Sequence, residues 1–258
     1  MNVTLIRNAT LTLDFAGQKF LIDPMLAKKG SYPGFEGTPN SHLRNPLVEL
    51  PVDVSSLLDS DAVIVTHLHP DHWDDAAVSL IPKNKPIFVQ NEEDADVIRL
   101  SGFSNVQVLE NETHFEGVTL YKTSGQHGSD DAYAVPELAE LLGEVCGVVF
   151  SHPTEKSVYL AGDTLWNKYV TDALNTFTPD IVILNNGFAQ VPPFGAIIMG
   201  KEDVKKVHEV LPEATIISVH LEAVNHCVLT RDELRSFISE HNLDKFALVP
   251  RDGEVISL

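Results

Sequence analysis

Three histidines and one aspartate stand within six positions of the chain, at His67, His69, Asp71 and His72, directly after the apolar run 61–66. Imidazole and carboxylate groups are the ligands that a borderline divalent ion takes in catalytic sites, where one coordination position stays open for water. In an extended segment His67 and His69 point to the same side, and Asp71 and His72 follow once the chain turns. The stretch therefore predicts a metal site at a strand end, with room for two adjacent ions.

Two other interpretations explain this cluster less well. A histidine-rich surface turn would explain the composition, but it gives so dense a cluster no physical use. A zinc-protease site needs two histidines four residues apart on a helix with a glutamate between them, and this stretch lacks that pattern.

Four more candidates follow the ends of other predicted strands. His127 lies between glycines that let the backbone turn and approach closely, and Asp163 follows a glycine at a position where a carboxylate can bridge two cations. His220 ends a strand, whereas His226 lies in the loop beyond it. We therefore favour His220 over His226 as a ligand, which leaves His226 as a proton donor or a substrate contact.

Asp23 and the two cysteines are less informative. Asp23 precedes a proline at a strand end, so it is either a turn former or a carboxylate that faces the site. Cys146 lies in an apolar run and is interpreted as a buried thiol, and Cys227 as a reduced neighbour of the site rather than a ligand. Two cysteines so far apart predict no disulfide framework.

The elements that must position these residues follow from periodicity and turn signals. Strands are predicted over 3–6, 10–15, 19–22, 61–66, 86–89, 106–109, 117–123, 145–150, 157–161, 180–184, 214–220, 246–250 and 254–257. Helices are predicted over 73–80, 92–100, 130–144, 166–177, 202–210 and 231–241, the last with a capping box formed by Thr230 and Glu233. Residues 24–50 are rich in Gly, Pro, Ser and Asn, which predicts a substrate-side flap that carries His42, Arg44 and Asn45.

Length and composition limit the class of protein. A chain of 258 residues that is 43% hydrophobic can bury one large core, so we expect a single α/β domain over 1–258. The formal charge of −19, without any run of Lys or Arg, argues against a nucleic-acid partner. No run approaches the roughly 18 apolar residues of a membrane span, and no signal-peptide block is present. These patterns predict a cytoplasmic protein with a small-molecule substrate, and they leave its oligomeric state open.

The motif Thr66-His-Leu-His-Pro-Asp-His72, followed by His127, Gly162-Asp163 and Val219-His220, resembles the metallo-β-lactamase superfamily in order and context. The segments Arg7–Thr10, Leu21–Pro24 and Tyr159–Thr164 are similar in style to the branch that contains the L-ascorbate-6-phosphate lactonases. The resemblance covers nearly the whole chain and implies a four-layered αββα sandwich. It implies that His67, His69 and His127 hold one metal, that Asp71, His72 and His220 hold the other, and that Asp163 bridges them.

The resemblance also implies a reaction class. Flavodiiron members of the superfamily have glutamate in place of His69 and carry a flavin domain, for which 258 residues leave no room, so hydrolysis is favoured over redox chemistry. Two divalent ions, zinc or manganese with iron as a further option, would activate a water. Asp71 would also accept its proton, and His226 would protonate the leaving group. The leading hypothesis is hydrolysis of a small ester or lactone, with an acidic or phosphorylated metabolite as one option. The alternatives are a phosphodiesterase and a non-catalytic metal or ligand sensor.

Overall fold

The secondary structure of residues 1–258 is described by a computed structural model with sixteen strands and eight helices. The strands are β1 (Asn2–Arg7), β2 (Thr10–Phe15), β3 (Gln18–Ile22), β4 (Ala62–Val65), β5 (Ile87–Val89), β6 (Val106–Val108), β7 (Thr113–Phe115), β8 (Val118–Ser124), β9 (Cys146–Ser151), β10 (Val158–Leu160), β11 (Ile181–Asn185), β12 (Gln190–Val191), β13 (Gly195–Ala196), β14 (Thr215–Val219), β15 (Ala247–Leu248) and β16 (Val255–Ser257). The helices are α1 (Val54–Leu58), α2 (Asp75–Leu80), α3 (Glu92–Leu100), α4 (Asp130–Tyr133), α5 (Pro136–Leu142), α6 (Lys168–Phe177), α7 (Lys201–Val210) and α8 (Arg231–Glu240).

Fourteen of the strands form two seven-stranded sheets. The first has the order β16-β1-β2-β3-β4-β5-β6 and the second the order β15-β14-β11-β10-β9-β8-β7. In each sheet an antiparallel meander joins a parallel half, which consists of β3 to β6 in the first sheet and of β10, β11, β14 and β15 in the second. The three strands predicted at the start of the chain are confirmed as β1, β2 and β3, which form an antiparallel meander.

Three apolar clusters separate four layers. Side chains of both sheets, including Phe20 and Phe150, form the cluster between the sheets. The outer face of the first sheet packs on α2 and α3 through residues such as Ile98. The outer face of the second packs on α6, α7 and α8 through residues such as Leu174 and Leu234. This arrangement confirms the predicted αββα sandwich.

Strand direction brings the candidate residues to one edge of the sandwich. Because β1 to β3 are antiparallel neighbours, β1 runs in the same direction as β3 and β4. By the same reasoning β8 runs with β10, β11 and β14. The carboxyl ends of these seven strands therefore deliver their following residues to a common edge.

Some boundaries differ from those predicted. The helix predicted over 130–144 is two short helices, because Pro136 at the start of α5 cannot continue the preceding turn. The helix predicted from residue 73 begins at Asp75, since the Asp74 side chain accepts a hydrogen bond from Ala77 N and acts as its N-cap. Helix α1 and strands β7, β12 and β13 were not predicted.

Only half of the capping box predicted at Thr230 forms. The Thr230 hydroxyl accepts from Glu233 N, but the Glu233 carboxylate pairs with Lys201 Nζ at 2.6 Å instead of returning to the N-cap. The 24–50 segment is irregular as predicted, with a single bridge between Tyr32 and Asn45. None of the helices is both long and apolar enough to cross a bilayer.

Candidate metal centre

The seven predicted ligands converge at the common edge of the two sheets. They form three groups whose potential ligand atoms lie within 4.8 Å of one another. The groups are His67, His69 and His127; His67, His72 and Asp163; and Asp71, His72 and His220. All are buried except His69, which is partly exposed. The chain thus builds a donor cluster with one side open.

His67, His69 and His127 are the histidines predicted to hold one metal, here called the first metal position. In each of them the outer ring nitrogen, which points away from the donor cluster, contacts an oxygen atom. His69 Nε2 donates to the carbonyl of Leu141 at 2.8 Å, and His127 Nδ1 donates to the carbonyl of Ile197 at 3.0 Å. His67 Nδ1 lies 3.2 Å from the Thr66 hydroxyl, and His67 Nε2 is buried without any partner. Outer hydrogen bonds of this kind fix the tautomer and leave the other ring nitrogen as a lone-pair donor.

His72 and His220, predicted to hold the other metal together with Asp71 at what is here called the second metal position, face each other. His72 Nδ1 donates to Asp23 Oδ2 at 2.8 Å, and His220 Nδ1 lies 3.3 Å from Cys227 Sγ. The remaining nitrogens, His72 Nε2 and His220 Nε2, are 3.2 Å apart. Two ring nitrogens at this separation, with Asp163 Oδ2 beside both, require a proton or a metal ion between them.

Asp163 lies at the middle of the cluster. Its Oδ2 is 3.2 Å from His72 Nε2, 3.5 Å from His220 Nε2 and 3.8 Å from His127 Nε2. Its Oδ1 accepts a hydrogen bond of 2.7 Å from Asn185 Nδ2. One carboxylate oxygen therefore faces ring nitrogens of both predicted metal positions, which is the arrangement that a bridging ligand needs.

Asp71 lies at one side of the cluster. Its Oδ2 is 3.2 Å from His220 Nε2 and accepts a hydrogen bond of 3.3 Å from Asn8 Nδ2. The same amide of Asn8 also donates to the backbone carbonyl of Asp71 at 3.1 Å. Asn8 therefore orients the Asp71 carboxylate from outside the cluster.

The electrostatics separate the histidines into two kinds. Burial lowers the pKa of His127 to about 3 and that of His67 well below its usual range, so both rings are neutral. Burial also opposes protonation of His72, but Asp163, Asp23 and Asp71 together raise its pKa to about 10. Without a metal ion, the His72 ring is therefore protonated and lies among these carboxylates.

The carboxylates show the complementary shift. Burial by itself would raise the pKa of Asp163, yet His72 and His220 hold it well below its usual range. The pKa of Asp71 is lowered in the same way, against burial, by His72 and His220. Both groups are therefore ionised and available as anionic ligands.

Left-handed backbone conformations occur at several positions around the site. Asn8, Asp23 and His220 have φ values of 55°, 45° and 64°. Such conformations are uncommon for residues with a Cβ and concentrate at functional sites. Gly187 permits a close backbone approach, because a Cβ there would lie 1.9 Å from the His220 carbonyl oxygen.

Asp23, Cys227 and His226 lie around the three ligand groups. Asp23 faces the site: its carboxylate accepts from His72 Nδ1 and from the Thr66 amide and hydroxyl, each at 2.8 Å. Cys227 lies behind His220, outside the three ligand groups. His226 is buried, and its Nδ1 has no hydrogen-bond partner.

The predicted flap contributes differently from what was expected. His42 and Arg44 are exposed, and the Arg44 guanidinium is bonded to the carbonyls of Gly30 and Ser31. Asn45 is buried and pairs with Asn225. Asn186 lies outside the flap, directly after β11, and its side chain donates to the Ser218 hydroxyl of β14 at 3.1 Å.

Three residues that contact the site residues were not predicted, namely Asn8, Asn185 and Phe35. Asn8 directly follows β1, and Asn185 is the last residue of β11. His220 was predicted from its position at the end of a strand, and the same criterion identifies these two asparagines. Phe35 packs edge-on against His226, with ring centroids 4.7 Å apart. No signal in the sequence points to this contact, because it joins two loops that are distant along the chain.

The donor set fits divalent metal ions. The inward His67 Nε2 is a buried nitrogen without a partner, and the Nε2 atoms of His72 and His220 lie 3.2 Å apart beside the carboxylate oxygen of Asp163. Five imidazoles with two carboxylates are the ligand chemistry of zinc, manganese or iron sites. The second set of hydrogen bonds, from Asp23, Leu141 and Ile197, is what metal-binding histidines require for orientation.

Comparison with known proteins agrees with this geometry. A family model described as a β-lactamase superfamily domain matches residues 18–221. The YddR protein of Bacillus subtilis is 52% identical over 98% of both chains. An isothiocyanate hydrolase from gut bacteria of Delia radicum is 53% identical, with a TM-score of 0.98 over 100% of this chain and 99% of that one. A possible metal-dependent hydrolase of Veillonella parvula is 46% identical, with a TM-score of 0.99 over the same shares. The chain belongs to the metallo-β-lactamase superfamily and is a metal-dependent hydrolase of that superfamily.

Proposed function

We propose that this protein hydrolyses a neutral organic isothiocyanate to the corresponding amine and carbonyl sulfide, with two divalent ions at the centre. The observation that carries the proposal is the convergence of His67, His69, His72, His127, His220, Asp71 and Asp163 into one donor cluster. The likeness to the isothiocyanate hydrolase over the full length of both chains supports this substrate class.

The surroundings of the cluster support a neutral substrate. An apolar group of side chains lies next to the donor cluster and contains Ile197, whose carbonyl accepts a hydrogen bond from His127. Its partly buried members include Tyr32, Phe35, Val191 and Phe194. Apolar walls with few polar groups are typical of sites for small organic ligands. An isothiocyanate carries an apolar organic group and no charge, so it suits this environment.

The nearby cations give no support to an acidic or phosphorylated substrate. The buried guanidinium of Arg7 donates to the carbonyls of Met25, Ala27 and Val48. Arg44 is engaged with carbonyls of its own loop. An anion at the site would therefore depend on the metal ions alone for its charge partner.

When bound, two divalent ions supply a water of lowered pKa and positive charge opposite the negative charge that develops during attack. The water oxygen forms a bond to the central carbon of the N=C=S group. The carbon–nitrogen bond then breaks, the nitrogen takes both water protons and leaves as the amine, and the carbon leaves as carbonyl sulfide. All atoms of one isothiocyanate and one water are accounted for.

His226 is the residue best suited to move the proton. Burial lowers its pKa to about 4, so the ring is neutral at pH 7 and can accept a proton before it donates one to the leaving nitrogen. Asp71 is less suited to the role of base, because its Oδ2 already faces His220 Nε2 at 3.2 Å and accepts a hydrogen bond from Asn8 Nδ2. We assign Asp71 to metal binding and His226 to proton transfer.

The test is a substrate panel with one preparation of the protein, loaded in turn with zinc, manganese and iron. Benzyl isothiocyanate should yield benzylamine and carbonyl sulfide in a 1:1 ratio, and chelation followed by metal replacement should remove and restore the activity. A sample that fails to release amine while its metal content is two per chain would contradict the proposal.

A small ester or lactone is the second candidate substrate. It is favoured by the similarity of Arg7–Thr10, Leu21–Pro24 and Tyr159–Thr164 to the lactonase branch. The same panel therefore includes p-nitrophenyl acetate, a γ-lactone and bis(p-nitrophenyl) phosphate. Turnover of the lactone or the diester alone would select hydrolysis of that bond, and inactivity on every compound would favour a sensor.

A further inference from the structure

We propose that Phe35 contacts the organic group of the substrate, and that the buried Asn225 is the positioning residue that holds Phe35 and His226 together. The identity of the substrate in this proposal rests on the proposed function. The placement of Phe35 and Asn225 does not, because it follows from their own contacts.

Asn225 is 1% exposed, and its side chain makes four hydrogen bonds to the irregular 24–50 segment. Its Oδ1 accepts from Phe35 N at 2.9 Å and from Asn45 Nδ2 at 2.8 Å. Its Nδ2 donates to the Thr38 hydroxyl at 2.9 Å and to the Pro39 carbonyl at 2.7 Å. The amide thus uses its full hydrogen-bonding capacity on a segment that lies far away in the sequence.

The backbone of Asn225 takes part in the same attachment. Its N–H donates to Asn45 Oδ1 at 2.9 Å, so the two asparagines bind each other reciprocally. Its carbonyl accepts from Asn40 Nδ2 at 3.2 Å. Because His226 follows Asn225 directly, every one of these bonds also restrains the segment that carries His226.

Phe35 is the point where the attached segment meets the site. Its ring lies edge-on to His226, with 4.7 Å between centroids and an interplanar angle of 73°. The side chain is only partly buried, so part of the apolar ring surface remains accessible next to its contact with His226. An aromatic ring in this position offers a contact surface for an aromatic or other apolar substituent.

The segment around Phe35 is folded tightly enough to hold the ring in place. The Thr38 amide and hydroxyl both donate to the Phe35 carbonyl. Gly34 lies against the carbonyls of Ser41 and Leu43, where a Cβ would be 2.5 Å and 2.4 Å away. The orientation of Phe35 is therefore set by a compact turn whose anchor is Asn225.

The experiment compares benzyl and methyl isothiocyanate in steady-state kinetics. For Phe35→Ala we expect KM for the benzyl compound to rise about 5- to 10-fold, the range given by loss of one aromatic contact, with less than about a 2-fold change for the methyl compound on the same basis. Phe35→Leu should recover part of the preference. Equal changes for both substrates would overturn the role of Phe35.

Asn225 is tested by Asn225→Ala and Asn225→Asp. The alanine variant should both raise KM for the benzyl compound and lower kcat for both compounds, because the ring of Phe35 and the ring of His226 lose their common anchor. Asn225→Asp keeps the two acceptor contacts and should lie between the alanine variant and the wild type. Unchanged kcat and KM in a folded Asn225→Ala protein would overturn its role.

Phe177→Ala is the matched control, since Phe177 at the end of α6 is also a partly buried phenyl ring but packs on Tyr121 of β8. It should leave the benzyl-to-methyl ratio unchanged. Calorimetric binding of N-benzylurea and N-methylurea to the metal-loaded protein measures the Phe35 contact without turnover. If the wild type cleaves no isothiocyanate but binds the benzyl ligand more tightly and loses this preference in Phe35→Ala, the proposed function fails and this inference stands. Equal binding of the two ureas by wild type and Phe35→Ala would reject it.

Discussion

The histidines of the centre are oriented before any ion binds. In four of the five predicted ligand rings, the nitrogen that points away from the centre contacts a carbonyl or side-chain oxygen. In the fifth ring, that of His220, this nitrogen contacts the thiol of Cys227. Because the rings are already ordered, binding of an ion does not have to reduce their conformational entropy, which favours tight binding. Asp23 is the partner with most contacts, because it binds His72 and Thr66 at once.

Asp23→Asn tests this orientation. The amide can still accept a hydrogen bond, but it no longer supplies the charge that supports His72 as a metal ligand. We expect metal affinity to fall about 10- to 100-fold, measured by competition with a fluorescent chelator. Asp172→Asn, at an exposed position of α6, is the control and should bind metal like the wild type. Equal affinities of the Asp23 variant and the control would show that Asp23 is dispensable.

The pKa shifts predict a difference in pH dependence between the metal-free and the metal-loaded protein. The raised pKa of His72, about 10 against an ordinary 6.5, stabilises the metal-free fold fully below pH 6.5, and this contribution is lost as pH rises towards 10. The lowered pKa of Asp163 stabilises the fold above its ordinary value of 3.8 and is lost as pH falls below it. The metal-free protein should therefore be less stable at pH 9 than at pH 6.

With metal bound, the rings are neutral ligands and the loss above pH 6.5 should disappear. Urea unfolding at pH 6 and pH 9, with chelator and with metal, measures both cases. The gain in unfolding free energy on metal loading should be larger at pH 9, because protons no longer compete for the ring nitrogens. Parallel pH profiles for the two forms would contradict the assignment of His72 as a ligand.

At the scale of elements, the site is a product of strand direction. Seven strands end at the same edge, and residues just beyond or at their ends supply the donors and their partners. Loops at the carboxyl ends of strands can vary without disturbing the sheets, which is why such edges hold sites. The loop after β11 is the tightest of them, because Gly187 contacts the backbone of His220.

Gly187→Ala tests how far the loop after β11 determines the second metal position. The added Cβ would meet the His220 carbonyl at 1.9 Å, so His220 has to move. We expect metal content measured by mass spectrometry to fall from two ions per chain towards one. Gly117→Ala is the control for the steric contact, because nothing lies within 4 Å of a Cβ there, although its φ of +86°, unlike the φ of Gly187, is itself costly for alanine. Full occupancy in the Gly187 variant would contradict the expectation.

At the scale of the whole molecule, one core joins both halves of the chain. The cluster between the sheets contains residues from Val3 to Val219, and β16 near the C-terminus pairs with β1 near the N-terminus. The formal charge of −19 opposes compaction of the folded chain. Bound cations would offset part of that repulsion.

We therefore expect residues 1–258 to unfold as one cooperative unit, with a higher midpoint when metal is bound. Free metal at about 1,000 times its dissociation constant should add about 4 kcal/mol to the unfolding free energy. Differential scanning calorimetry with and without metal checks both statements. Two separated transitions at any metal concentration would contradict the single-domain prediction.

Much of the fold could be predicted from local patterns. Helix α3 begins and ends at the predicted residues, since Asn91 caps it and Ser-Gly ends it. The two helices in place of 130–144 and the shifted start of α2 depended on Pro136 and on Asp74, whose local bonds override periodicity. Strand β7 was missed because three residues show no clear alternation.

The sequence by itself determined which residue types were available for chemistry and that they follow strand ends. The density of histidine and aspartate at 67–72 predicts metal binding, because alternation and turn chemistry act over a few residues. Tertiary structure decided which ring nitrogen of each histidine faces inwards, that Asp23 faces the site, and that Phe35 lies on His226. These outcomes depend on contacts between segments far apart in the chain, and such contacts are set only when the two sheets pack and strand direction brings their ends together.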